Sequence, residues 1–168
     1  MKIIIQIFII GFFINSYSQV NESNCTTVYL IRHAEKVRDN SGNRNPNLNL
    51  IGLKRAEKWK EIFKNIDFDA IFSTDLNRTI QTALPISNDK KIEIQTYKPS
   101  NQFYGDFLKL NMGKTVLVVG HSNTTPKFVN SLIENDFYSQ IDDKNNGNLY
   151  YVQKCGLLTA NHMVLLIN

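Results

Sequence analysis

Four consecutive apolar residues, Val116, Leu117, Val118 and Val119, lie in a stretch from Lys114 to Gly120 that runs straight into His121 and Ser122. A strand with one face in water alternates polar and apolar residues, whereas an unbroken run is the pattern of a strand covered on both faces by helices. The rest of the chain has to supply those helices and the neighbouring strands. A second apolar run predicts a strand over about 27–32. From Leu53, the residues Leu53, Ala56, Trp59, Phe63 and Ile66 recur at three- and four-residue intervals, with Lys54, Arg55, Lys58 and Lys60 on other faces. Trp59 is read as core. A strand over 69–72, a capping turn over 73–75 and a helix over 76–84 follow, then a strand over 92–96 and a helix face marked by Phe103, Phe107, Leu108 and Leu110. Pro126, after Thr124 and Thr125, fits the first turn of another helix. Last strands are expected over 149–153 and 163–167, with polar loops over 39–49 and 142–148. Strands alternating with helices over this length predict an α/β fold, a three-layer α/β/α sandwich with a mostly parallel central sheet.

At 168 residues the chain has the length of one globular domain. Its first residues read as an address: Lys2 precedes a mostly apolar run over 3–14, and Ser16 and Ser18 stand three and one before a cut ahead of Gln19. The expected organisation is a signal peptide over 1–18 and a single domain over 19–168, exported to the periplasm or secreted. The run is short against the roughly 20 apolar residues of a bilayer span, so an uncleaved anchor is the weaker reading. Glu22, Ser23 and Asn24 are a poor approach to a lipid-attachment site at Cys25. No stable membrane insertion is expected after cleavage. Without the first 18 residues the net charge is +3, from 18 Lys and Arg against 15 Asp and Glu, with no basic block of five or more. That balance argues against nucleic acid as a partner and suits a small anion. Export permits a disulfide between Cys25 and Cys155, and two free thiols fit the sequence equally well. Neither cysteine stands in metal-ligand spacing, so no structural metal is expected.

Three strand ends carry the same kind of chemistry. Arg32 and His33 follow the first strand, Arg78 lies beyond the second, and His121 follows the 116–119 run. Ligands of an open parallel sheet bind outside the carboxyl ends of its strands. Two guanidinium forks and two imidazoles converging there make a pocket for a compact dianion, and the planar guanidinium suits phosphate oxygens. Helix starts near Asp75 and Thr125 would add backbone N–H groups.

The pieces Arg32-His33-Ala34-Glu35, Leu50-Ile51-Gly52-Leu53 with Ala56, Ser73-Thr74-Asp75-Leu76-Asn77-Arg78-Thr79 with Thr82-Ala83, and Val119-Gly120-His121-Ser122 occur in that order. Between about Thr27 and Leu132 the chain thus resembles the histidine phosphatase superfamily. The resemblance implies a phosphoglycerate mutase-like fold, His33 as a nucleophile that forms phosphohistidine, and Arg32, Arg78 and His121 as ligands of the phosphoryl group. The activity it implies is hydrolysis of a small phosphorylated substrate. The chemistry asks one thing of His33 independently. Only an unprotonated ring nitrogen attacks phosphorus, so the other must carry the proton and donate it, for instance to a backbone carbonyl. The arginines then stabilise charge on the equatorial oxygens, work that is electrostatic and needs neither metal nor cofactor.

The proton donor stays open. Glu35 stands two residues from the nucleophile and competes with a role in orienting a basic neighbour such as Lys36. Glu93 reads as the outward residue of an alternating strand and Asp106 as the polar side of a helix, and each is also a candidate acid. With no acid, substrates with a good leaving group would be favoured. Lys98 is a candidate for a second substrate anion or a solvated lysine, and His162 reads as an ordinary strand-end histidine. Two other readings of the whole chain remain: a weak or inactive phosphate-binding module of the same fold, and a phosphoglycerate mutase, which export and the short chain disfavour. The sequence does not set an oligomeric state.

Overall fold

The elements follow in the order β1 (Cys25–Arg32), α1 (Leu50–Ile62), β2 (Ala70–Thr74), α2 (Asn77–Lys90), β3 (Ile94–Tyr97), α3 (Asn101–Leu110), β4 (Thr115–Gly120), α4 (Thr124–Ile133), β5 (Asn148–Cys155) and β6 (Asn161–Leu166). The computed structural model describes residues 25–38, 42–156 and 161–167, and the signal peptide expected over 1–18 lies outside them. One sheet runs in the order β3-β2-β4-β1-β5-β6. The first four strands pair in parallel, while β5 pairs antiparallel with β1 and β6 antiparallel with β5.

The unbroken run of β4 is explained by its place between β1 and β2. Val116 and Val118 pack with Val28, Leu30, Phe107, Phe128 and Leu132 on one face. Leu117 and Val119 pack with Ile31, Trp59, Phe63, Ile71 and Ile86 on the other. Helices α3 and α4 cover the first face and α1 and α2 the second, which is the expected three-layer sandwich. Trp59 is core, as its spacing implied.

Two helix boundaries differ from the expectation. Helix α1 begins at Leu50 because the Asn49 side chain accepts from the Gly52 N–H at 2.9 Å, an N-cap four residues ahead of the first periodic position. A Cβ on Gly52 would lie 2.1 Å from the Glu35 carbonyl oxygen, so the missing side chain is what lets α1 press against the segment after His33. Helix α2 continues through Pro85 to Lys90, because Ala83 and Ile86 on either side of the proline are fully buried against the sheet. Among the described residues no helix is long and apolar enough to cross a membrane.

Cys25 and Cys155 stand opposite each other in the β1–β5 register and form a disulfide across 130 residues, with their Cα atoms 4.1 Å apart. Closing so long a loop restricts the unfolded chain, and reduction is expected to cost about 3 kcal/mol. That corresponds to a melting temperature lower by roughly 6–12 °C for a domain of this size. Thermal melts with and without reductant measure it, and coincident curves would show that the bond adds no stability.

Candidate active site

Arg32, the last residue of β1, pairs in register with Gly120, the last of β4. The next residues on each strand, His33 and His121, therefore leave the sheet side by side, with ring centroids 5.5 Å apart and edge to face. The His33 peptide is held from both sides: its N–H donates to Gly120 O at 2.9 Å, and its carbonyl accepts from Asn146 Nδ2 at 2.8 Å. Thr82 joins this segment to the turn that carries Arg78. Its hydroxyl oxygen accepts from the Ala34 N–H at 2.9 Å, and its proton goes to Arg78 O at 2.7 Å.

These contacts fix the protons on both imidazoles. His33 Nδ1 lies 2.7 Å from Ala34 O. A carbonyl only accepts, so Nδ1 carries the proton and Nε2 keeps a free lone pair. His121 Nε2 lies 2.9 Å from Thr74 Oγ1. The Thr79 hydroxyl donates to the carbonyls of Thr74 and Leu76 at 2.8 Å each, so its oxygen accepts from Thr74 at 2.9 Å. Thr74 has only lone pairs left for His121, whose Nε2 is the donor and whose Nδ1 holds the free lone pair.

Burial lowers His33 to a pKa of about 3, against the bond to Ala34 O, with the nearby His121, Arg32 and Arg78 lowering it further. Burial and then Arg78, Arg32 and Lys36 lower His121 to about 4. Both rings are neutral well below the ordinary imidazole range. Since each pKa is lower in the folded than in the unfolded chain, the resulting stability is complete above about 6.5 and is lost as pH falls toward 4 and then 3. The ring-proton resonances of His33 and His121 are expected to keep neutral-form shifts down to about pH 5, and the urea midpoint to fall between pH 7 and pH 4.5. Titration of either ring near 6.5 would contradict the burial that sets these values.

The arginines are arranged differently from the expected pair of open forks. Arg32 is 2% exposed. Its Nη1 donates to the carbonyls of Asp142, Asp143 and Asn145 at 2.9, 3.1 and 2.9 Å, and its Nη2 pairs with the Asp143 carboxylate at 2.8 Å. Arg38 meets the same carboxylate at 2.8 Å. The Arg32 fork thus holds the 142–145 loop, and its Nε is buried with no partner among the described residues. Arg78 Nε is in the same condition, while its Nη1 reaches Arg44 O at 3.4 Å. Burial and then Arg32 lower the Arg78 pKa. Leaving a buried donor unpaired costs about 1–3 kcal/mol. Two such donors on cations beside two neutral imidazoles are a place made for the oxygens of an anion.

Three solved structures share this fold. A provisional alpha-ribazole-5'-P phosphatase from Escherichia coli has 17% identity and a TM-score of 0.69, over 84% of this chain and 96% of that one. The protein histidine phosphatase SixA, solved with tungstate, has 12% identity and a TM-score of 0.68, over 83% and 96%. A phosphoglycerate mutase from Bacillus anthracis has 14% identity and a TM-score of 0.64, over 87% and 94%. Residues 28–100 match the family model of the histidine phosphatase superfamily (branch 1). Over those residues the chain is similar to the histidine phosphatase superfamily. A search of the curated proteins found no match.

In this chain the three expected phosphoryl ligands, Arg32, Arg78 and His121, come together beside His33, and the three expected acids do not join them. Glu35 pairs with Arg55 through Nε at 2.9 and 3.0 Å and through Nη2 at 2.8 Å. Burial raises its pKa, but the bonds and charge of Arg55 prevail and hold it below the usual carboxylate range, so it has no proton to give. Glu93 is exposed and precedes β3 at its amino end, on the sheet edge opposite the pocket. Asp106 is exposed on the outer side of α3, whose inner side buries Tyr104 and Phe107. The helix starts also differ from the expectation. The Asn77 N–H at the start of α2 is taken by Asn45 Oδ1 at 2.7 Å, and the Thr125 N–H by His121 O at 3.0 Å. Asp75 caps nothing: the N-cap of α2 is Leu76, and it makes no side-chain capping bond.

Lys98 is exposed just past β3, and His162 bonds Tyr138 Oη through Nδ1 at 2.8 Å. No group of three or more His, Cys, Asp or Glu among the described residues is placed to hold a metal ion. Residues that sequence reasoning missed are Asp143, Asn146, Thr74 and Lys36. Two of them had a signal, Thr74 inside the Ser73–Thr79 piece and Lys36 three positions after His33.

Proposed function

We propose that this chain hydrolyses a small phosphorylated substrate through a phosphohistidine on His33 Nε2. The observation that carries the reading is a neutral His33 whose proton is fixed on Nδ1 by Ala34 O, with the unpaired Nε–H donors of Arg32 and Arg78 at the same site. In the first step the Nε2 lone pair forms the bond to phosphorus as the bond to the leaving oxygen breaks. Arg32 and Arg78 hold the non-bridging oxygens, and His121, gaining a proton on Nδ1 as the dianion raises its pKa, donates to a third. Water then attacks the phosphohistidine, its proton leaves with inorganic phosphate, and His33 regains its lone pair. No metal enters these steps.

Both carboxylates nearest the site are ionised, Glu35 by Arg55 and Asp143, whose pKa its bonds to Arg38 and Arg32 lower to about 2. The leaving group is therefore expelled without a proton. Phosphohistidine, anhydrides and aryl phosphates are favoured over alkyl phosphates. A general acid contributes about a hundredfold or more, so kcat/KM on para-nitrophenyl phosphate is expected to exceed that on glycerol phosphate by at least about a hundredfold. Equal rates would mean that a donor acts in the site. Export is part of the proposal, supported by the apolar run over 3–14 and by the disulfide, which suits an oxidising compartment. Cell fractionation and the N-terminal sequence of the mature protein test it: a cytoplasmic chain still carrying residues 1–18 rejects export.

A further inference from the structure

We propose that the cleft beside the phosphoryl pocket, lined by Lys36, Arg38 and Lys144, binds a second anionic group of the substrate. The proposal rests on the phosphatase reading and narrows its substrate class to small phosphorylated molecules that also carry a carboxylate or another phosphoryl group.

The cleft and the pocket share a wall. Asp143 and Asn146 line the cleft, and the same two residues hold Arg32 and the His33 carbonyl. The backbone that carries Lys36 is pinned in place. Lys36 forms a β-bridge to Leu48, its carbonyl accepts from Asn49 Nδ2 at 3.4 Å, and the next N–H, of Val37, donates to Asn47 O at 2.9 Å. A lysine side chain is usually a mobile surface cation, but here its root is as fixed as the nucleophile three residues before it.

Charge decides what the cleft is for. Its acids are already spoken for: Glu35 is neutralised by Arg55, and the single Asp143 carboxylate is shared by Arg32 and Arg38. Lys36 is half-buried, and among the described residues its ammonium makes no hydrogen bond or ion pair. Burial, Arg78 and Arg38 disfavour its charge, with Asp143 opposing them. Lys144, on the far wall, is exposed and also forms no ion pair among the described residues. A phosphoryl dianion engaged by Arg32 and Arg78 leaves Lys36 and Lys144 uncompensated. Holding a partly buried ammonium among three arginines is unfavourable unless an anion completes the group. A neutral ester would leave that charge unmatched, whereas a second anion on the leaving group, lying along the cleft, would match it.

The test uses benzylphosphonates carrying a ring carboxylate at the ortho, meta or para position, each compared with its uncharged carboxamide. Their carbon–phosphorus bond is not hydrolysed, so calorimetric titration of the full chain reads affinity apart from turnover. At one ring position the carboxylate is expected to bind about tenfold tighter than the carboxamide, the size of one charge-assisted hydrogen bond. The ratio is expected to fall toward one in Lys36→Gln. Equal affinities at all three positions in the wild-type chain, or a ratio unchanged in Lys36→Gln, overturn the subsite. Turnover of para-nitrophenyl phosphate, measured in parallel, separates the two readings. Turnover with no carboxylate preference sinks the subsite alone. A tenfold preference without turnover sinks the phosphatase reading and keeps the subsite. No binding of any phosphonate sinks both.

Discussion

His33→Ala is expected to lose at least about ten-thousandfold in kcat/KM on para-nitrophenyl phosphate and to take up no label from a phosphoryl donor. Removing a nucleophile removes the covalent path, and what remains is the electrostatic help of the surrounding donors. His121→Ala keeps the nucleophile and loses one donor to the phosphoryl oxygens, so about a hundred- to thousandfold is expected there. The fold is expected to survive both changes. The His33 imidazole is 4% exposed and its Nδ1–H satisfies Ala34 O, so alanine leaves a small cavity and one buried carbonyl unpaired, at a cost of about 1–3 kcal/mol. Toward low pH the gap shrinks: the buried neutral imidazole is itself a liability below pH 6.5, and His33→Ala narrows its disadvantage toward pH 4. Circular dichroism on each variant establishes folding before rates are compared. Phosphate release that continues in a folded His33→Ala chain would remove the histidine from the chemistry.

The sandwich was legible because its signals are local. The 116–119 run, the strand before Arg32 and the helical spacing around Trp59 each lie within one element, and burial on both faces of β4 leaves its mark on every residue of the run. The two histidines were legible for the same reason, each standing one residue past a strand. The function of the Arg32 fork was not. Its partners lie 110 to 113 residues away in a polar loop whose composition says only that it turns, and the carbonyls of Asp142, Asp143 and Asn145 carry no side-chain signature. Glu35 was misread as a possible acid because its partner, Arg55, looks in sequence like one more cation on the solvated face of α1. Proximity to a nucleophile does not keep a carboxyl protonated when a guanidinium stands against it. The disulfide was undecided for want of a register, which the direct pairing of Cys25 with Cys155 supplies.

Arg32→Lys is expected to cost about a thousandfold in kcat/KM and about 3 kcal/mol in stability, although it keeps the charge. The stability cost arises in the loop. A lysine ammonium offers three donors on a flexible stem, where the guanidinium makes fixed bonds to the carbonyls of Asp142, Asp143 and Asn145 and to the Asp143 carboxylate. Breaking a buried charged network of this kind costs about 3–5 kcal/mol when a partner is removed outright, and lysine recovers a part of that. The catalytic cost arises at Nε, which lysine lacks, and is the size of one lost donor to the transition-state charge, about 2.7–4 kcal/mol. The two losses separate in Asp143→Asn, where the three carbonyl bonds of Arg32 and its Nε are kept and only the ion pairs with Arg32 and Arg38 go. That variant is expected to fall by less than about tenfold in kcat/KM, since an exposed partner adds little. If Arg32→Lys lowered the urea midpoint but left kcat/KM within tenfold, the arginine would be a strut for the loop and the phosphoryl group would rest on Arg78 and His121. If it lowered both, and Asp143→Asn neither, one side chain would be serving two masters: a fork that fastens the loop over Asn146 and the His33 carbonyl, and an unpaired Nε–H for phosphate.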